Sequence, residues 1–369
     1  MTATPQIQIM IVDDSLVVRK ALTNVLSTDP DLTIAGWASN GRLALAKLQT
    51  FRPDIILLDI EMPEMNGLET IPGIRKILPH IPIIMFSTLT ERGAEATLDA
   101  LALGASDYVA KPSNQNMAAT AEAIHRDLVP KIKALCRFPV RVPNKAAGVS
   151  PPVVQAPRPE IRFHASPLHS AQLKIITIGV STGGPDALAR LLPSFPANFP
   201  LPVVIAQHMP AIFTSLLAKR LATKCAIPVK ECQPGDVLVP SCVWIAPGDY
   251  HMVVQKEEHR MRLGTNQAPR ENFCRPSVDV LFRSVAAAYG ANALGVILTG
   301  MGQDGLKGCE ALCAAGASVI VQDEASSVVW GMPGFVARAG LAEKILPLDQ
   351  ICGEIVRRVT AQPALQLTH

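Results

Sequence analysis

The sequence predicts a doubly wound, mostly parallel α/β architecture repeated in two units. Short apolar runs such as Ile7-Gln8-Ile9-Met10-Ile11-Val12, Ile55-Ile56-Leu57-Leu58, Ile175-Ile176-Thr177-Ile178 and Leu294-Gly295-Val296-Ile297-Leu298 read as parallel strands covered on both faces. Amphipathic stretches fall between them, with Val18, Leu22 and Val25 on one helical face and Leu98, Leu101 and Ala105 on another. A proline-rich interval separates the two series, so the chain reads as two cores rather than one.

The elements follow in order. Residues 1–130 accommodate five β-α units, the count of a flavodoxin-like domain, with Leu103-Gly104-Ala105 reading as a glycine-capped helix end before the last strand, Asp107-Tyr108-Val109-Ala110. Residues 131–172 carry Pro139, Pro143, Pro151, Pro152, Pro157, Pro159 and Pro167, and set Lys131, Lys133, Arg137, Arg141, Lys145, Arg158 and Arg162 against Glu160 alone. That composition describes an extended basic spacer. A second α/β domain is expected over 173–360, with further strands at 201–205 and 317–321 and helices near 186–192, 212–223, 276–289 and 305–315. Within it, 228–263 alternates in polarity, as in Cys242-Val243-Trp244-Ile245-Ala246 and His251-Met252-Val253-Val254-Gln255, which predicts antiparallel hairpins inserted in the parallel sheet. Residues 361–369 form a tail.

Composition excludes several classes. Of 369 residues, 49% are hydrophobic and the mean hydropathy is +0.26, yet no apolar stretch approaches the roughly 18 residues of a membrane span. The first five residues lead straight into a strand with no visible signal peptide, so a cytoplasmic protein without membrane insertion is expected. A net charge of +3, with no helix-turn-helix pattern after the spacer, gives no reason to expect nucleic acid. The eight cysteines form no CxxC pair; Cys309 and Cys313, four apart, have the spacing of a ligand pair, but buried small apolar residues are the better default.

Two sets of residues carry chemistry. Asp13, Asp14, Asp59 and Lys111 sit at the carboxyl ends of three expected strands, the rim where such sheets bind ligands. Three carboxylates suit a Mg²⁺ ion that retains open positions, Asp59 is placed to attack a phosphoryl group, and Lys111 to pair with the product. Helix capping explains either aspartate of the first pair alone, but not the whole set.

The first 130 residues resemble a response-regulator receiver domain, through Val12-Asp13-Asp14-Ser15, Asp59-Ile60-Glu61-Met62-Pro63 with Gly67, and Gly104-Ala105-Ser106-Asp107-Tyr108-Val109-Ala110-Lys111-Pro112. The resemblance implies that Asp59 is the phosphoacceptor and that Asp13, Asp14 and Asp59 hold Mg²⁺. It further implies that Ser87, Tyr108 and Lys111 are the groups that move on phosphorylation, with Thr88 adjacent to Ser87.

The second set begins at Gly179-Val180-Ser181-Thr182-Gly183-Gly184, a G-x-S-x-G turn between a strand and a helix. His208, in Gln207-His208-Met209-Pro210, ends the next strand, and Asp304 follows a third in Thr299-Gly300-Met301-Gly302-Gln303-Asp304. Serine, base and orienting acid at three strand ends make a nucleophile system, while Ser181 as a helix cap or the turn as a phosphate cradle is the plainer alternative. Residues 174–360 resemble the effector domain of the chemotaxis receptor methylesterases of the CheB type. The matches are the 179–185 turn, the segment around His208, Ala246-Pro247-Gly248-Asp249-Tyr250-His251-Met252, Arg275-Pro276-Ser277-Val278-Asp279 and residues 300–305.

This resemblance implies a protein-glutamate methylesterase with protein-glutamine deamidase activity and no cofactor for ester hydrolysis. Its catalytic groups would be Ser181, His208 and Asp304, with backbone N–H groups of Thr182 and Met301 as the oxyanion hole. The implied partners are methyl-accepting chemoreceptors as substrate and a chemotaxis histidine kinase as phosphodonor. His251 is expected to be structural or peripheral to the cleft, and Arg275 and Arg283 either guide an acidic substrate or are solvated. A catalytically silent scaffold is the remaining rival.

Overall fold

A computed structural model describes residues 6–88, 90–111, 117–136 and 172–361. The first unit runs β1 (Ile7–Val12), α1 (Leu16–Leu26), β2 (Leu32–Ala38), α2 (Gly41–Lys47), β3 (Ile55–Asp59), α3 (Gly67–Ile77), β4 (Ile83–Ser87), α4 (Glu91–Ala102), β5 (Asp107–Ala110), α5 (Met117–Asp127) and α6 (Val129–Cys136). Its five strands are parallel in the order β2-β1-β3-β4-β5, the flavodoxin-like arrangement expected. Because β1 and β3 are neighbours, Asp13 and Asp59 arrive side by side.

The second unit runs β6 (Ile175–Val180), α7 (Gly184–Leu191), β7 (Val203–Gln207), α8 (Ala211–Ala222), β8 (Val229–Glu231), β9 (Val243–Ile245), β10 (His251–Glu257), β11 (Arg260–Asn266), α9 (Val278–Tyr289), β12 (Ala293–Ile297), α10 (Leu306–Ala314), β13 (Ser318–Gln322), α11 (Met332–Arg338), β14 (Lys344–Leu346) and α12 (Leu348–Thr360). Seven parallel strands lie in the order β14-β13-β12-β6-β7-β9-β8, and β10 and β11 form a separate antiparallel pair. One expectation is corrected: the run at 242–246 is a parallel sheet strand, not half of a hairpin. Val243, Trp244 and Ile245 are all buried, so both faces of β9 are covered.

Helix α6 spans the boundary expected at residue 130, because Ile132 and Leu135 bury against the β1 side of the first unit. Residues 137–171 of the expected spacer, Pro112 and residues 362–369 of the expected tail lie outside the described residues. No helix among the described residues is long and apolar enough to cross a membrane.

The two units share an apolar interface. Leu98, Leu101 and Tyr108 belong to the same buried cluster as Leu188, Phe213 and Leu217. Tyr108 stacks on Phe213 with ring centroids 4.5 Å apart, a contact contributing about 1 kcal/mol beyond its buried area. Arg220 reaches Asp99 at 2.6 Å, and Val329 is buried in the cluster that holds Val109 and Phe86.

Candidate functional site

The acidic rim of the first unit is built around one ammonium. Lys111 Nζ lies 2.7 Å from Asp59 Oδ2 and 3.2 Å from Asp13 Oδ2. Asp59 Oδ1 accepts from its own neighbour Ile60 N at 2.8 Å, whereas Asp13 Oδ2 is buried and, among the described residues, accepts no hydrogen bond, with the Lys111 ammonium 3.2 Å away. Burial pushes the Asp59 carboxyl up to about 6, with Asp13 adding to burial and Lys111 and the Ile60 N–H opposing it. Oxygen atoms of Asp13, Asp14 and Asp59 all come within 4.8 Å of one another. An all-oxygen set with an orphaned buried carboxylate oxygen fits a hard dication. The Ser87 hydroxyl donates to Gly93 O and Thr88 O, and Tyr108 is turned into the interface between the units.

The second site lies at the carboxyl ends of β12, β6 and β7, three adjacent strands. After β6 the chain turns through Gly183, whose φ of +77° suits glycine and where a Cβ would come 2.6 Å from Val328. Gln207 Nε2 donates to Ser181 O at 3.0 Å, Ser181 N donates to Thr299 O at 3.0 Å, and Thr299 Oγ1 donates to Thr182 O at 3.0 Å, fixing the turn from both flanking strands. Gly300 is needed on the opposite wall, where a Cβ would meet that of Ser181 at 2.9 Å.

His208 Nε2 lies 2.7 Å from Asp304 Oδ2. Four further donors reach that carboxylate: Val278 N at 2.7 Å, Ser277 Oγ at 2.8 Å, Asn272 Nδ2 at 3.0 Å and Asp279 N at 3.1 Å. Two of these are first-turn N–H groups of α9, so Asp304 sits where helix-end donors and dipole favour an anion. Burial alone would raise its carboxyl, but His208, Val278 and Ser277 hold it well below the usual carboxylate range. With Nε2 committed to Asp304, Nδ1 is the nitrogen left to serve as a base. It faces Cys274 Sγ at 3.5 Å, and among the described residues no hydrogen bond joins it to Ser181 Oγ. Burial works against charge on His208, yet the Cys274 sulfur and the Asp304 carboxylate outweigh it and push the imidazole up to about 10.

Among the described residues, neither Thr182 N nor Met301 N donates a hydrogen bond, which leaves both free for a developing oxyanion. Thr182 also touches the first unit. Thr182 Oγ1 donates to Asp107 Oδ2 at 2.9 Å, an acceptor also paired with Lys131 at 2.9 Å, and Met301 packs against the cluster containing Val329 and Val109.

Sequence reasoning missed Asn272, Cys274 and Ser277 as neighbours of the dyad. Ser277 carried a usable signal, an N-cap serine before an apolar helical run; Asn272 and Cys274 arrive through a loop without periodicity. His251 is fully buried: its Nδ1 accepts from Ser277 N at 3.2 Å, so Nε2 carries the proton and donates to Pro269 O at 3.1 Å. Arg275 pairs with Asp249 at 2.7 Å and Arg283 with Glu271 at 2.6 Å. Cys309 is buried in the core and Cys313 donates to Leu341 O, which favours the packing reading over a ligand pair.

Known proteins match along nearly the whole chain. The CheB methylesterase family model matches residues 176–355, and the response regulator receiver domain model matches residues 9–122. A protein-glutamate methylesterase/protein-glutamine glutaminase of Trichodesmium erythraeum is 50% identical over 356 residues, 96% of this chain and 99% of that protein. A protein of the same name from Nocardioides is 48% identical over 363 residues, 97% of each. The crystal structure of the Thermotoga maritima CheB methylesterase catalytic domain is 39% identical with a TM-score of 0.50, covering 50% of this chain and 98% of that one.

Proposed function

The chain belongs to the receiver-bearing CheB methylesterase family, and on that premise we propose that it is a phosphorylation-controlled hydrolase of glutamyl methyl esters on chemoreceptors in sensory adaptation. The same acyl chemistry deamidates specific receptor glutamines, with ammonia leaving in place of methanol. The observation that carries this reading is the His208–Asp304 contact beside the Ser181 turn, at the ends of three adjacent strands. Ser181 Oγ attacks the ester carbonyl while His208 Nδ1 takes its proton, a hydrogen bond that tightens as substrate enters. Thr182 and Met301 N–H groups hold the tetrahedral oxyanion, methanol departs with the proton from His208, and water releases the acyl group by the reverse sequence.

The control side uses the first unit, a receiver over residues 1–130 extended by α6 and joined by the spacer to the catalytic domain at 173–360. Asp59 is the phosphoacceptor for a chemotaxis histidine kinase, and Lys111 pairs with the acyl phosphate. Asp13, Asp14 and Asp59 are the residues that would hold Mg²⁺, which supplies charge neutralisation at that rim when bound. Unphosphorylated, the receiver covers the catalytic domain at Thr182, Met301 and Phe213. Phosphorylation shifts the balance because a phosphoryl group at Asp59 favours the uncovered arrangement over the covered one. Ser87, Tyr108 and Lys111 transmit the change, Tyr108 directly through its stack on Phe213.

Methanol release from methylated receptor, with and without a small phosphodonor, tests the whole reading. Release that rises with phosphodonor is expected; none under either condition makes the second unit a silent scaffold.

A further inference from the structure

Asp279 is a buried carboxylate that the reaction as drawn leaves without a task. Among the described residues of the second unit, it and Asp304 are the only buried acidic side chains. Both face one loop amide: Asn272 Nδ2 lies 2.8 Å from Asp279 Oδ2 and 3.0 Å from Asp304 Oδ1. An amide nitrogen carries two hydrogens, so each carboxylate takes one and both are spent. The amide carbonyl cannot stand in the same place, because both neighbours are acceptors. The other oxygen of Asp279, Oδ1, accepts from Gly305 N at 2.9 Å and from Gly308 N at 2.6 Å. Gly305 is the residue after Asp304, and its φ of +97° leads into α10. At Gly308 a Cβ would come 3.3 Å from Asp279 Oδ1 and 2.6 Å from Phe282 Cβ, so the close approach requires glycine. Asp279 therefore grips the backbone on one side of Asp304 and the amide that binds its side chain on the other. Burial pushes the Asp279 carboxyl up and the charge of Asp304 adds to this, while the Gly308 N–H and the Asn272 amide oppose it. Two carboxylates this close keep their places only through such donors.

We propose that Asp279 is a positioning residue for the reaction: through the Asn272 amide and the Gly305 N–H it holds the Asp304 carboxylate in the orientation that His208 requires. His208 Nε2 and Asp304 Oδ2 meet at 2.7 Å, and that contact leaves Nδ1 for Ser181. Asp279→Asn breaks the hold whichever way the new amide turns. With its oxygen toward Gly305 and Gly308, its NH₂ opposes that of Asn272; turned over, it opposes the two glycine N–H groups. Asn272 cannot relieve the first clash by flipping, since its carbonyl would then face Asp304. The proposal deepens the esterase reading, on which the kinetic arm of its test rests.

The test follows methanol release from methylated receptor by the full-length chain carrying Asp279→Asn or Asn272→Gly. Glycine keeps the positive φ of position 272 and removes only the amide. In each variant kcat should fall by about 10²-fold with KM unchanged. Added to Asp304→Asn, either substitution should cost about twofold or less, because the carboxylate it positions is already gone. The second measurement is the His208 ring N–H proton that points at Asp304, followed by NMR with isotope-labelled histidine and identified by its loss in His208→Gln. It should shift or exchange out in both variants. An undiminished kcat, a loss carried by KM alone, a full second loss on Asp304→Asn, or an unmoved ring proton would overturn the positioning role. Should Asp279→Asn fail to fold, Asn272→Gly decides by the same readings. A wild-type chain that releases no methanol counts against the esterase reading instead, and the ring proton still decides whether Asp279 positions Asp304.

Discussion

Asp59 and Asp304 are the same residue at nearly the same burial, 4% and 2% exposed, yet their surroundings drive the two carboxyls in opposite directions. Asp304 receives five donors, including two first-turn N–H groups of α9, and is held as a carboxylate. Asp59 has one ammonium and one N–H against its own burial and the charge of Asp13, and is pushed up to about 6. On the proposed function, the difference separates an input from an output. A carboxylate meant to orient a histidine is saturated in advance, which removes the reorganisation cost at the moment of reaction. A carboxylate meant to take up a charged group is left under-satisfied beside an orphaned oxygen of Asp13, so the ligand completes the site.

The strongest way to break this division is at the nucleophile. Ser181→Ala should lower ester hydrolysis by about 10⁴-fold or more, while Asp59 still accepts phosphate from a small phosphodonor. Residual hydrolysis near the wild-type rate would remove Ser181 from the reaction. Next in size, Asp304→Asn should cost roughly 10³- to 10⁴-fold in kcat, because the amide can no longer hold the histidine tautomer. Asp59→Asn should abolish stimulation by phosphodonor. If Asp59→Asn remained fully inducible, the input assignment would fail.

Much of this was legible in the sequence, and the reasons are specific. The doubly wound order converts strand ends into a rim, so Asp13, Asp59 and Lys111 could be brought together on paper from three apolar runs, and Ser181, His208 and Asp304 from three others. The hairpin assignment at 242–246 failed because a three-residue strand is too short for alternation to distinguish a two-faced from a one-faced environment; Trp244 is buried with both its neighbours. Asn272 and Cys274 were illegible for a different cause. They reach the dyad through positive-φ backbone that follows no period, and only tertiary packing decides where such a loop points. The pairing of Thr182 with Asp107 was equally hidden, since it joins two units across a proline-rich spacer.

That pairing offers a smaller, sharper test of how input reaches output. A hydroxyl donating to a buried carboxylate contributes on the order of 1–2 kcal/mol. Thr182→Val removes it while keeping the backbone N–H, and Asp107→Ala removes the acceptor. Each should raise the unphosphorylated rate by roughly 5- to 30-fold and shrink the stimulation by phosphodonor in proportion. Initial rates with and without phosphodonor measure both quantities, and an unchanged ratio in both variants would place the coupling elsewhere in the interface.

The subtlest contrast concerns His208, whose proposed base role requires the neutral ring although, against burial, Cys274 and Asp304 push it up to about 10. A base is active when deprotonated, so kcat/KM should climb with pH across the range from the ordinary imidazole value, about 6.5, towards 10. Stability should run the other way. A group with its folded pKa raised contributes stability that is fully present below the unfolded value and is lost as pH rises through the folded one. In the same window, therefore, the wild-type melting temperature should fall relative to that of His208→Gln while its activity rises. Cys274→Ser takes away the first of the influences that raise the ring, so its activity limb should move to lower pH, and its stability loss should be smaller and complete at a lower pH. A pH–rate profile and thermal melts on the three proteins read both quantities. Limbs that coincide in wild type and Cys274→Ser would show that Asp304 alone sets the base, and would leave the sulfur no part in tuning the output site.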